Sequence, residues 1–263
     1  MNLISIILRL KANPIRTWSL GKGKYIPQLN SIEKWIKNNS SAKGIYVSNL
    51  DRKEYPEVTG YWIETALTWG FSDLASSWIM WLVKLQNIDG GWPDTSLNNQ
   101  SLFFDSGQVV RGIKHYSDNK RINSSVIYKK YLKYFDENKN KHLIPNSREM
   151  EHITWRLINL QIASIVQKNW PKHLSKKWLV SNLKKYIDFW NVGYRSSHFD
   201  IYILEALYDL SIFTKELSKY IGYFDKIVTK YGLVTCDRNN IAPCYTASAQ
   251  LGVLYYKMGR KED

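Results

Sequence analysis

Residues 59–92, TGYWIETALTWGFSDLASSWIMWLVKLQNIDGGW, decide the fold class of this chain. The first part is apolar on most sides and closes at Gly70, and Ser72 and Asp73 open a second helix that continues to Gln86. A helix that is apolar on most sides must be buried, whereas a partner with a lysine-rich face must lie outside. The stretch therefore predicts a helical hairpin with one inner and one outer helix.

The same alternation returns along the rest of the chain. FDSGQVVRGIKHY precedes the more polar SSVIYKKYLKYFDENKN, and EHITWRLINLQIASIV precedes LSKKWLVSNLKKYIDFW. SSHFDIYILEALYDLSIF then precedes KELSKYIGYFDKIVTKYG, and CYTASAQLGVLYYKMG ends the series. Approximate anchors lie 45, 48, 44 and 48 residues apart, at Tyr61, Ser106, Thr154, His198 and Thr246. A period of this length is typical of stacked helical hairpins. We predict one all-α domain over residues 1–263, an α/α toroid of about five to six hairpins, closed or with a gap, on which residues 1–30 pack as an N-terminal extension.

Composition limits the partners. The 37 Lys and Arg exceed the 23 Asp and Glu, for a formal charge of +14, which favours an acidic partner or belongs to an ordinary solvated surface. The only cysteines, Cys236 and Cys244, indicate neither a disulfide scaffold nor a zinc site, and they fit a reducing, cytoplasmic compartment. Residues 1–10 are too short to span a bilayer and suit at most a weak contact with a membrane surface.

The segment WLVKLQNIDGGW resembles the QW repeat of triterpene cyclases. It places Gln86, Gly90 and Trp92 in the spacing of that repeat. The resemblance implies an α/α toroid in which Gln86 and Trp92 tie the end of an outer helix to the next turn. It implies nothing about terpenes, because the chain has neither an Asp-x-Asp-Asp nor an Asp-Asp-x-x-Asp motif.

A resemblance over almost the whole chain points to glycans. The order LQNIDGGWPD, FDSGQVVRGI, HITWRLINL, SSHFDIYILEAL and CYTASAQLGVLYY is similar to toroid proteins of bacterial capsule and lipopolysaccharide biosynthesis loci, relatives of the six-hairpin glycosidases. In that superfamily an acidic residue at an inner-helix start, in a phrase like FDSG, acts in sugar-ring chemistry. The resemblance implies this role for Asp105.

Inner helices of a toroid point the same way, so polar residues near their starts should meet at one mouth. Sugar cleavage or epimerisation needs a protonated acid and a base. We predict that Asp105 and Asp200 form the acid–base pair, with His198 as proton shuttle and Tyr61 as orienter. The predicted catalytic residues are Asp105, Asp200, His198, Tyr61 and Glu64. We predict substrate-binding roles for a further seven: Trp92, Asp94, Gln108, His152, Arg156, Tyr245 and Gln250.

Structural explanations compete with these roles. Asp105 is also placed to be an N-cap, and Asp200 to complement a helix dipole. Glu64 either faces the cavity or pairs with Arg156. Trp92 is either a buried clasp or a platform for a sugar ring, and Asp89 makes the turn that precedes it.

The resulting functional hypothesis is a glycan-active protein of polysaccharide or lipopolysaccharide biosynthesis. It would be a hydrolase, lyase or epimerase that acts on an acidic oligosaccharide or polysaccharide, with no cofactor, no metal and no nucleic-acid partner. The alternative is a non-catalytic glycan-binding or assembly subunit of the same pathway.

Overall fold

The computed structural model describes residues 34–48, 50–95, 99–143, 157–190, 196–228, 232–237 and 242–260. The expected N-terminal extension, residues 1–30, lies outside these ranges. The described residues are helical and form no strand beyond isolated antiparallel bridges. A short helical segment covers residues 34–38. The longer helices follow in chain order: α1 Pro56–Thr68, α2 Ser72–Leu85, α3 Phe103–Lys120, α4 Ser125–Leu143, α5 Leu160–Asn169, α6 Lys176–Phe189, α7 Ser197–Leu210, α8 Thr214–Ile227 and α9 Tyr245–Lys257.

Burial alternates from helix to helix, as the sequence predicts. The helix α3 is buried on almost every side, and all residues of α5 from Leu160 to Val166 are buried. In contrast, α2 buries a single stripe, made of Ala75, Trp78 and Leu82. For these three helices the structure thus shows the expected difference in burial, with α3 and α5 largely buried and α2 buried along one stripe.

The chain divides into two compact units, and the boundary falls within α4. The first unit lies within Ile4–Glu137, and there α1 packs on both α3 and α2. The second unit lies within Asn138–Asp263, and there α7 packs on α5, α9 and α8. In each unit, therefore, an inner helix packs on the next inner helix as well as on its outer partner.

One loop geometry precedes three inner helices. An antiparallel bridge joins two residues eight positions apart, and the helix begins two residues later; the bridges are Tyr46 to Glu54, Pro93 to Ser101 and Thr235 to Pro243. In each copy the hydroxyl of the fourth helical residue accepts the backbone N–H of the residue fourteen positions earlier. We call this the hydroxyl latch. It is formed by Thr59 with Ile45, Ser106 with Trp92 and Ser248 with Val234, at 3.0, 2.8 and 2.9 Å.

Two glycines allow α1 and α3 to cross at close range. A Cβ added to Gly112 would lie 2.4 Å from the carbonyl oxygen of Gly60, and one added to Gly60 would lie 2.8 Å from that of Gln108. The two backbones thus touch with no side chain between them. This contact sets the distance between the starts of α1 and α3, where the candidate site lies.

A helix that crosses a bilayer needs about 20 consecutive, mainly apolar residues. In the part of the chain that the structure describes, no helix combines the length and the apolar character that a membrane crossing requires.

Candidate functional site

The segment between α2 and α3 has the tie that its QW-like spacing implies. Gln86 donates from Nε2 to the carbonyl oxygens of Gly90 and Ile127, at 2.9 and 3.2 Å. The Trp92 indole donates to the carbonyl oxygen of Leu82 at 2.7 Å, and its ring is completely buried. The clasp interpretation of Trp92 therefore holds, and a sugar-stacking role does not fit because the ring has no exposed face.

Asp89 makes the turn before this clasp. Its Oδ1 accepts the Gly91 backbone N–H and the Ser101 hydroxyl, both at 2.9 Å. Gly90 has a φ of +96°, a conformation that favours glycine. These bonds hold the loop that leads into α3.

Asp105 is a buried carboxylate and does not cap α3. The helix begins at Phe103 with Leu102 in the cap position, so the N-cap interpretation of Asp105 is wrong. Asp105 is the third helical residue, is 7% exposed and accepts a 2.8 Å hydrogen bond from the Tyr55 hydroxyl. Burial and the charge of Asp94 raise the pKa of Asp105 to about 6, against the opposing effect of the Tyr55 bond.

A second carboxyl group, that of Glu57, lies in the same electrostatic environment. Glu57 is the second residue of α1 and accepts a hydrogen bond from Tyr61. Burial, together with the charges of Asp105 and Asp94, raises the pKa of Glu57 to about 8. Asp94 itself is buried beside them, at 4% exposure.

These groups form a carboxylate cluster: Glu57, Asp94 and Asp105, with Tyr55 and Tyr61 as hydrogen-bond donors. Burial and Asp105 also raise the pKa of Tyr55, so its hydroxyl remains a donor at neutral pH. Near pH 7 the cluster therefore combines a mainly protonated Glu57 with a mainly ionised Asp105. That combination can donate one proton and accept another.

Two further candidates in the first unit have other partners. Glu64 pairs with Arg111 at 3.3 Å; although burial opposes the change, Arg111 and His115 lower the pKa of Glu64, so it stays ionised. Gln108 is completely buried within α3.

In the second unit, His198 and Gln250 are brought together. His198 Nδ1 lies 2.8 Å from Gln250 Oε1 and, because an amide oxygen only accepts, Nδ1 carries the proton. Burial lowers the pKa of His198 against the effect of Gln250, so the ring is neutral at pH 7 and Nε2 can accept a proton. Tyr245, the first residue of α9, is 70% exposed.

Asp200 occupies the position of the hydroxyl latch. It is the fourth residue of α7, as Thr59, Ser106 and Ser248 are the fourth residues of their helices, at intervals of 47, 94 and 48 residues. It is 1% exposed, and its Oδ1 accepts the Trp190 indole N–H at 2.8 Å. These contacts fit a structural acceptor at the helix start better than a catalytic group.

Counted from the start of each helix, His198 corresponds to Glu57, since each is the second residue of its helix.

His152 and Arg156, which were predicted to bind substrate, lie outside the described residues. Asp105 and Asp200 belong to different units. Over the ranges the structure describes, no three His, Cys, Asp or Glu side chains are arranged to hold a metal ion.

Tyr55 and Glu57 were missed because the sequence pattern predicts the first inner helix only from Thr59 onward, after the segment EYPEV. The signal was Pro56. Proline is well tolerated in the first turn of a helix, and α1 indeed begins at Pro56. That start makes Glu57 a first-turn residue.

No known protein family, curated protein or solved structure was found that matches the chain. The chemistry of the carboxylate cluster is therefore the basis for a functional assignment.

Proposed function

We propose that this chain is a glycan-active enzyme of polysaccharide or lipopolysaccharide biosynthesis, a hydrolase, lyase or epimerase that acts on an acidic sugar. One observation carries the proposal. Glu57 and Asp105 share a site, and their pKa values of about 8 and about 6 give them opposite protonation states at neutral pH. Such a pair is what acid–base chemistry at a sugar ring requires.

In this proposal Glu57 is the acid and Asp105 is the base or nucleophile. For hydrolysis, Glu57 donates its proton to the glycosidic oxygen, and Asp105 either takes a proton from water or attacks the anomeric carbon. Tyr61 orients the Glu57 carboxyl group and Tyr55 orients that of Asp105. For elimination or epimerisation the same two groups exchange protons with ring carbon and oxygen atoms.

The charge of the chain supports an anionic substrate. The formal charge of +14 favours binding of acidic glycans, and Lys53 contacts the carbonyl oxygen of Thr95, the residue after Asp94. The positive charge of Lys53, which contacts the residue after Asp94, would offset part of the repulsion between a uronate group and the carboxylate cluster.

The α/α toroid belongs to the same proposal. Its support is the packing of inner helix on inner helix within each unit and the recurrence of the latch position at multiples of about 47 residues. A toroid would gather the starts of the inner helices at one mouth.

The test is a pH profile on uronate-containing oligosaccharides. If Asp105 must be ionised and Glu57 protonated, kcat/KM rises through a pKa near 6 and falls through a pKa near 8. Glu57→Gln should lower turnover by about a hundredfold and remove the upper limb. Asp73→Asn, an exposed first-turn aspartate of α2, is the matched control and should behave as wild type.

A substrate with an acidic phenol leaving group makes this test specific for hydrolysis. Such a leaving group needs little protonation, so Glu57→Gln should recover most of the wild-type rate on it. Equal losses on both substrates would contradict the assignment of Glu57 as the acid.

The non-catalytic glycan-binding subunit is the second candidate. It is favoured by the exposed ring of Tyr245 in the unit that also contains the His198–Gln250 pair. Binding of oligosaccharides without turnover, weakened by Tyr245→Ala and not by Glu57→Gln, would support this candidate instead.

A further inference from the structure

The two cysteines meet in the loop before α9. Backbone hydrogen bonds from Cys236 to Ala242 and from Cys244 to Val234 flank the bridge between Thr235 and Pro243. This pairing puts Cys236 and Cys244 on one face of the loop, as diagonal neighbours. Their thiols are close enough to influence each other electrostatically, and both residues are half-buried.

The loop does not need cysteines to form. The loops before α1 and α3 have the same bridge and the same flanking hydrogen bonds. At the positions of Cys236 and Cys244 they contain Val47 and Tyr55, or Asp94 and Leu102. Neither copy has a sulfur atom, so the paired thiols are an addition to a loop that is stable without them.

We propose that Cys236 and Cys244 are a redox modification site, which closes to an intrachain disulfide by exchange with a small-molecule disulfide of the glutathione class. One cysteine thiolate attacks the small disulfide, forms a mixed disulfide and releases one small thiol. The second cysteine then attacks the mixed disulfide and releases the other small thiol. Two protein thiols are oxidised, and one small disulfide is reduced to two thiols.

The modification would act on two helix starts. Cys244 is the N-cap residue of α9, and the carbonyl oxygen of Cys236 accepts the Ser197 backbone N–H, at the first residue of α7, at 2.8 Å. These helices supply Gln250 and His198, which are hydrogen-bonded to each other. A disulfide would fix the loop that joins both starts. The inference does not depend on the proposed glycan chemistry.

The pair suits regulated modification better than turnover. Burial, the neighbouring Cys244 and Asp237 raise the pKa of the Cys236 thiol, so the reactive thiolate is scarce at neutral pH. In a reducing compartment the pair remains as thiols and closes only when the small disulfide accumulates.

The test incubates the full chain with oxidised glutathione and follows the intact mass. The expected result is a loss of two hydrogen atoms with no retained glutathione, and a peptide map that joins Cys236 to Cys244. Cys236→Ser and Cys244→Ser, each expected to fold because the other loops lack sulfur, should instead each retain one glutathione. Closing this short loop should raise the Tm of the oxidised wild type by roughly 5 °C.

Three outcomes would overturn the proposal. These are no change in the mass of the wild type, two retained glutathiones on the wild type, and an interchain dimer that a non-reducing gel detects without the internal cross-link. Reversal of the mass change and of the Tm shift by dithiothreitol would support it.

Discussion

The first turns of α3 and α7 each contain one buried aspartate, and the two carboxylates have different surroundings. Asp105 accepts a hydrogen bond from Tyr55 and lies in the field of Asp94, which contributes to its raised pKa. Asp200 accepts a hydrogen bond from the Trp190 indole at the latch position. The first carboxylate has acidic neighbours, whereas the second receives a donor from the chain just before its helix.

One residue of helical register accounts for the difference. Asp105 is the third residue of its helix, and Asp200 is the fourth, where three other helices place a hydroxyl that accepts a backbone N–H. Successive helical residues are about 100° apart around the axis, so the two carboxylates leave their helices in different directions. A short sequence motif with Asp near a helix start is thus not enough to identify an active site.

The largest expected effect separates these two aspartates directly. Asp105→Asn should lower turnover by roughly a thousandfold, about 4 kcal/mol in the barrier, because the base is removed. Asp200→Asn should leave turnover close to wild type, because the amide oxygen still accepts the Trp190 N–H. Steady-state rates and thermal melts of both variants provide the measurement, and equal losses of turnover would remove the distinction.

The second effect concerns the glycine crossing of the first unit. Gly112→Ala should cost about 3 kcal/mol, because its Cβ would lie 2.4 Å from the Gly60 carbonyl oxygen and α1 and α3 would have to separate. The matched control in the second unit is Gly252→Ala in α9, where no atom lies within 4 Å of the added Cβ.

Urea denaturation of these two glycine variants gives the comparison. Gly252→Ala should stabilise the chain by about 0.5–1 kcal/mol, since alanine is the better helix former. A destabilisation of similar size in both variants would show that the close approach of α1 and α3 is not required.

The third effect is a pH dependence of stability. The pKa of Asp105 rises to about 6 on folding from an unfolded value near 4, so the folded state binds more protons between these values. The contribution of Asp105 to stability is complete below pH 4 and is lost as the pH rises through 6. Relative to Asp105→Asn, the wild type should lose about 2 kcal/mol of unfolding free energy between pH 4 and pH 7.

Urea denaturation at a series of pH values measures this difference between wild type and Asp105→Asn. The two profiles should converge at pH 4, where Asp105 is protonated. Parallel profiles across the range would mean that Asp105 titrates normally in the folded chain.

The last comparison, with an expected difference of about 1 kcal/mol, concerns the two tryptophans that donate to these helix-start regions. Trp190→Phe should cost about 2 kcal/mol because it removes a donor to the buried Asp200 carboxylate. Trp92→Phe should cost about 1 kcal/mol because the lost acceptor is the neutral Leu82 carbonyl. Chemical denaturation resolves the two values, and the reverse order would contradict the view of Asp200 as a structural acceptor for Trp190 at the latch position.

Much of the fold was predictable because periodicity is a local property. The second helix within residues 59–92 is predicted from Ser72 to Gln86, and in the structure it ends at Leu85. The alternation of inner and outer helices followed from how much of each helix surface is apolar. The repeat was detected with approximate anchors, whereas the structural register falls on Thr59, Ser106, Asp200 and Ser248.

The site was less predictable because its contacts are not local. Asp105, Asp94 and Tyr61 were predicted, and each belongs to the carboxylate cluster or donates a hydrogen bond to it. Glu57 and Tyr55 were missed with the start of α1, although Pro56 indicated that start. The pairing of Asp105 with Asp200 rested on their similar positions near helix starts, and no local pattern shows which acid faces another acid.

The hydrogen bond between Tyr55 and Asp105 joins residues 50 positions apart. It can form only after α3 has docked on α1, and closing a loop of this length has a substantial entropic cost. Until then both Glu57 and Asp105 are hydrated and titrate as free carboxyl groups. The docking step in folding should therefore take up protons at neutral pH, so the docked arrangement of α1 and α3 should become more favourable as the solution becomes more acidic.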